Sequence, residues 1–261
     1  SIAIIYWALT NIDRYFVLYF TNINELASFA FLLGVSAPIG LIFNVFQQTL
    51  LPALAKANKT QTGRFDELSS EFLCVNLFLG IGAVAGLTAI SPLVLSLMGS
   101  NQFSVGRIEF LLVGVFMLLA NLEQVLGSLL AAKQQSQKHL KIATASMLVL
   151  LVLLALLTPK FGMVGVLCAR ILSSIMVITL LQKQIGFTVI GCVNRKMLAY
   201  WIFSSLVMYF AVIFGSYQLI LEISWVGALL SIFIGASLYC FLNMNYVSRV
   251  ILPFLFKNYT A

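Results

Sequence analysis

The sequence predicts an all-α integral membrane protein of about eight helices, and three observations carry that prediction. Hydrophobic residues fill 61% of the 261 positions against 9% charged, and the mean hydropathy is +1.04, well outside the range of soluble domains. The apolar residues come in run after run of the roughly 20 residues that a ~30 Å hydrocarbon core requires. The short polar connections between runs carry their basic residues on alternate sides. Only helices and closed barrels satisfy the backbone in lipid, and barrel strands are ~10 residues of alternating pattern, so continuous runs mean helices.

The expected spans are 2–20, 26–51, 72–98, 108–132, 142–157, 163–181, 198–217 and 225–242. The first carries Asp13 and Arg14. The second and third contain Pro38 and Pro92, each of which removes a backbone hydrogen bond and is expected to kink its helix. Gly80, Gly82 and Gly86 in the third permit close helix packing. The fourth bears Asn121, Glu123, Gln124 and Ser128, and the sixth bears Arg170 with Ser173 and Ser174 one turn on. The chain opens inside an apolar stretch without an initiator methionine and reads as the C-terminal part of a longer protein.

Orientation follows from lysine and arginine. Lys56, Lys59, Arg64, Lys133, Lys138, Lys141, Lys183, Arg195, Lys196, Arg249 and Lys257 fall on one side, and only Arg107 and Lys160 on the other. The basic loops and the C-terminus are therefore expected in the cytoplasm, with a polar cytoplasmic loop from Ala55 to Glu71. Trp201, Tyr217, Trp225 and Tyr246 sit near span ends, as headgroup-level anchors do, and the segment from Tyr246 to Lys257 suits an interfacial tail. Glu109 lies close enough to a span end to snorkel. His139 is expected to be solvated in a cytoplasmic loop. Cys74, Cys168, Cys192 and Cys240 show no CxxC spacing, so neither a metal site nor a disulfide framework is indicated. The basic residues form no patch with interleaved aromatics, which argues against nucleic acid.

Ionisable groups inside spans are the informative ones, because a charge at bilayer depth costs about 2.5–3.5 kcal/mol on insertion scales. These are Asp13, Arg14, Glu123 and Arg170. On a helical wheel Trp7, Asn11, Arg14 and Leu18 share a face, with Thr10 and Asp13 beside it. Asn44, Gln47 and Gln48 cluster in the second span, and Asn121, Gln124 and Ser128 form a stripe in the fourth. Such stripes can line a watery groove in which an arginine meets an anionic headgroup. They can equally be glue, with Asp13 or Glu123 paired to Arg14 or Arg170 and the amides bonding helix to helix.

The first span, Trp7-Ala-Leu-Thr-Asn-Ile-Asp-Arg-Tyr-Phe, resembles the helix that opens the second lobe of bacterial polysaccharide and O-antigen flippases of the multidrug and oligosaccharidyl-lipid exporter superfamily. The turn with Glu25-Leu-Ala-Ser-Phe, the span ending Gln47-Gln48-Thr-Leu-Leu-Pro52, and Ser128-Leu-Leu-Ala-Ala-Lys133 are similar to it too. The resemblance implies residues 1–182 as a six-helix second lobe of an inverted-V, alternating-access transporter, and 183–261 as two additional helices and a tail. It implies an undecaprenyl diphosphate-linked oligosaccharide carried to the outer leaflet of a bacterial inner membrane, with a missing N-terminal lobe as partner. Arg14 would bind the headgroup, while Asp13 would position Arg14 or respond to H+ or Na+. Asn11, Gln47, Glu123, Gln124 and, from charge logic, Arg170 complete the candidate substrate contacts. No cofactor and no covalent chemistry are implied.

Three other functions compete, and a purely structural membrane subunit is a fourth reading, which intramembrane charges make less attractive. A lipid II flippase shares the chemistry. A cation-coupled multidrug antiporter would use Asp13 or Glu123, although arginines repel cationic drugs. An integral-membrane polymerase or acyltransferase needs positioned acid–base groups, yet no span carries a histidine and no outer loop is long enough to build a pocket.

Overall fold

The computed structural model describes residues 2–60, 62–97, 105–186, 191, 193–218 and 225–251; side chains are described from residue 11 onward, save at 46, 49–51, 53, 55, 58–64, 192, 216–218, 225, 226 and 228. The apolar runs form α1 (Ile2–Phe20), α2 (Ile23–Thr60), α3 (Thr62–Leu97), α4 (Arg107–Ala132), α5 (Ser136–Ile185), α6 (Arg195–Gln218) and α7 (Trp225–Leu242). A short turn, Met244–Tyr246, and a π-helical stretch, Val247–Ile251, follow. Among the described residues five helices are long and apolar enough to cross a hydrocarbon core, and the pair 229–242 and 244–251, bent by 72°, would make a sixth.

The expected spans map onto these helices in order, the fifth and sixth both falling within α5. That helix has 50 residues, and Gly162 (φ 55°, ψ −134°) interrupts it. A Cβ on Gly165 would collide with the Leu157 carbonyl. In a straight helix eight residues stand about 12 Å apart, so the chain doubles back here. Pro159 contributes to the break by lacking an N–H, whereas α2 and α3 continue through Pro38 and Pro92. The segment expected as a cytoplasmic loop is helical instead: α2 runs to Thr60 and α3 starts at Thr62. Its Ala, Lys, Glu and Leu residues are strong helix formers, and polarity alone does not end a helix.

The chain divides into two compact units. The first is 1–47 with 103–188, and the second is 48–102 with 189–261. In the first, α4 and α1 both pack on α5 around Val17, Phe110, Leu126, Leu129, Val166 and Leu167, all fully buried. Its two ends are tied by side chains. At one end Asn22 Oδ1 accepts the Glu25 N–H (2.8 Å) as the cap of α2. Glu25 Oε2 in turn accepts the Met163 N–H (3.2 Å), capping the second limb of α5. At the other end Lys133 Nζ donates to the Ile185 carbonyl (3.2 Å), a cation at a helix C-terminus. Glu109, expected to snorkel, accepts the Gly106 N–H (2.8 Å) and closes the start of α4. His139 is half-buried, with its ring so close to Gly127 that a Cβ there would lie 2.8 Å from Nε2. It packs on α4 because α5 already begins at Ser136.

In the second unit α3 packs on α6 and α7, which pack on each other. Its centre is aromatic. Phe78 stacks on Tyr239 at 4.7 Å and meets Trp201 at 5.6 Å and Tyr246 at 5.2 Å. Tyr239 Oη donates to the Phe78 carbonyl (2.9 Å), and Gly82 admits the Tyr239 ring, since a Cβ would stand 2.7 Å from it. Trp201, expected at the headgroup level, has 0% exposure, and Tyr246 packs against it at 4.9 Å. A large ring at a span end buries itself wherever a neighbouring helix covers it. Tyr217 and Trp225 lie outside the described side chains. Asn243 holds the elbow after α7, donating from Nδ2 to Ser204 Oγ and to the Tyr239 carbonyl, both at 2.9 Å.

Candidate functional site

The polar residues of the first unit gather in two neighbouring layers. The upper one joins α1 to the second limb of α5: Arg170 Nε donates to Asp13 Oδ2 at 2.6 Å. Both side chains are nearly enclosed, at 13% and 5% exposure, and the guanidinium lies 5.6 Å from the Phe116 ring centroid, a cation–π contact. Asp13 Oδ1 is buried and takes no hydrogen bond. A pair this enclosed survives because each charge compensates the other.

One turn along α5, Ser174 Oγ donates to Glu123 Oε2 on α4 (3.4 Å), and Glu123 feels the field of Arg170. Four residues of α5 separate Arg170 from Ser174, which sets the second layer about 6 Å below the first. Beside Glu123, Gln47 Nε2 on α2 donates to Asn121 Oδ1 (2.9 Å) and Gln124 Oε1 (3.3 Å) on α4.

Of the expected site residues, the structure therefore joins Asp13 with Arg170, sets Glu123 within reach of that pair, and links Gln47 to Gln124. Asn11, half-buried one turn before Arg14, keeps interactions of its own. Asp13 is engaged by Arg170, on another helix, and makes no hydrogen bond to Arg14. Arg14 is exposed, with no hydrogen bond or ion pair among the described residues. The polar residues that sequence reasoning left out of the site are Asn121 and Ser174, both buried. Their spacing from Gln124 and Arg170 was the available signal. Among the described residues no group of three or more His, Cys, Asp or Glu could hold a metal ion.

The fold is similar to that of a solved lipid II flippase, MurJ, in an inward closed conformation, with a TM-score of 0.72 and 16% sequence identity. The alignment covers 95% of this chain and 52% of that one, so the chain spans about half of the flippase's length. At that identity the likeness is one of fold. No family model and no curated protein matches the sequence.

Proposed function

We propose that this chain forms one half of a flippase that moves an undecaprenyl diphosphate-linked oligosaccharide, an O-antigen, capsule or exopolysaccharide repeat, between leaflets of a bacterial inner membrane. The observation that carries this is Arg14. An arginine inside an apolar helix is costly unless something neutralises it. The nearest carboxylate, Asp13, is committed to Arg170, and Arg14 itself is exposed. A cation so placed suits an anion that comes and goes, and a guanidinium matches phosphate oxygens in bidentate geometry. The same exposed charge repels cationic drugs. Asp13 then acts as the anchor that turns Arg170 inward, and Arg14 is the substrate contact. Coupling to H+ or Na+ would run through Glu123, which is held by one 3.4 Å contact.

Lipid II is the second reading, favoured by the fold likeness to a lipid II flippase. Both substrates present a prenyl diphosphate, and Arg14 serves either. The test is complementation, with the full-length gene, of strains lacking either flippase, comparing wild type with Arg14→Ala and Arg14→Lys at matched membrane abundance. Loss of surface glycan or of viability with Arg14→Ala, partly restored by Arg14→Lys, supports the assignment, and the strain that is rescued names the glycan. Full function of Arg14→Ala would remove it.

A further inference from the structure

We infer that Glu123 is a positioning residue, which competes with Asp13 for the Arg170 guanidinium and so sets how firmly α1, with Arg14 on it, is held to α5; the role of Arg14 rests on the flippase reading. Arg170 stands between two carboxylates. Its Nε donates to Asp13 Oδ2 on α1 at 2.6 Å, and Glu123 on α4 lies in the field of the same guanidinium. Ser174, one turn along α5 from Arg170, donates to Glu123 Oε2 at 3.4 Å, and an arginine side chain is long enough to cover a ~6 Å helical turn. Neither carboxylate is fully met. Asp13 Oδ1 is buried without a hydrogen bond, and the Ser174 contact is at the long limit of hydrogen bonding.

Other basic groups of this unit stand further off. Lys133 is ten residues along α4 from Glu123, about 15 Å, and Lys183 is nine along α5 from Ser174, about 14 Å. His139 is nearer, with its ring against Gly127, one turn from Glu123, and the test below controls for it. A guanidinium drawn towards Glu123 is weakened at Asp13, because Coulomb attraction falls with distance from either partner. Asp13 precedes Arg14 in the chain and feels its charge as well. A phosphate that neutralises Arg14 therefore leaves Asp13 more dependent on Arg170, at the expense of Glu123. Loading holds α1 fast, and emptying lets Glu123 draw Arg170 away and loosen it. A helix that meets a headgroup in one conformation and parts from it in another needs such a differential contact.

Hydrogen exchange of the full-length protein in nanodiscs, read at the amides of residues 11–20, tests this beside binding and movement of a prenyl diphosphate oligosaccharide. Glu123→Gln keeps the shape and removes the competing charge. It should slow exchange in α1 by about tenfold, the scale of one charge–charge interaction across a helical turn. It should also bind the lipid at least as tightly as wild type and move it about tenfold more slowly. Glu123→Asp, which keeps the charge, should bring exchange and movement back towards wild type, and His139→Gln should change neither. A merely structural Glu123 would give faster exchange and weaker binding in Glu123→Gln. That result, unchanged exchange, or equal slowing by His139→Gln would overturn the inference. The expected exchange pattern with no lipid movement by wild type would uphold the competition for Arg170 and remove the flippase reading instead.

Discussion

Removing one partner of the Asp13–Arg170 pair should cost far more than removing both. The pair is short, at 2.6 Å, and its side chains are 5% and 13% exposed. Asp13 Oδ1 takes no hydrogen bond, so Arg170→Met leaves a buried carboxylate with only the field of Arg14 to compensate it, a loss of about 3–5 kcal/mol. Asp13→Leu should cost less, about 1–3 kcal/mol, because Arg170 keeps the Phe116 ring at 5.6 Å and the field of Glu123. The double variant replaces a charged contact by an apolar one of similar size and should fall within about 1 kcal/mol of wild type. At roughly 2–4 °C per kcal/mol for a domain of this scale, Arg170→Met lowers Tm by about 6–20 °C. Thermal unfolding of the full-length protein in detergent, followed by size exclusion, measures all four corners of the cycle. Additive losses, or a double variant as unstable as Arg170→Met, would refute the buried-pair argument.

Two further predictions concern packing. Gly162→Ala should destabilise by about 2–4 kcal/mol, since φ 55° with ψ −134° is nearly closed to other residues and the new methyl would press on Glu25 Oε2; Glu25→Gln, which keeps the reach but loses the charge, should cost only about 1 kcal/mol. Equal Tm values for Gly162→Ala and wild type would show that the turn is not strained. In the second unit Trp201→Ala should cost about 3–5 kcal/mol as a core truncation, and Trp201→Phe much less, because the indole N–H has no hydrogen-bond partner to lose. A surface anchor would instead give nearly equal, small losses in the same Tm assay.

The helix count and order were legible because span length is dictated by the hydrocarbon core, and the fold-back at Gly162 because Pro159 and Lys160 break an apolar run. The helical continuation through Lys56 to Glu71 was not. A polar stretch between spans looks the same whether it is loop or helix, and its helix propensity is masked by its charge. Trp201 was misplaced for a related reason: position in a span does not say whether a neighbouring helix covers it. Within the site, helical periodicity put Asp13 and Arg14 on adjacent stripes, but a single helix cannot say which stripe meets Arg170. That depends on the register at which α1 packs on α5, a tertiary contact that no local pattern encodes. The same applies to Gln47, whose bonds to Asn121 and Gln124 cross 74 and 77 residues of sequence.

The central claim is that an exposed Arg14 meets a transported anion. Its most direct test is leaflet-to-leaflet movement of a fluorescent prenyl diphosphate oligosaccharide by the full-length protein in proteoliposomes, with wild type, Arg14→Lys and Arg14→Ala compared at equal incorporation. The account predicts movement by wild type, a reduced rate with Arg14→Lys, and a loss of at least about tenfold with Arg14→Ala, the scale of one charge-assisted contact. Undiminished movement by Arg14→Ala, or none by wild type, would contradict it.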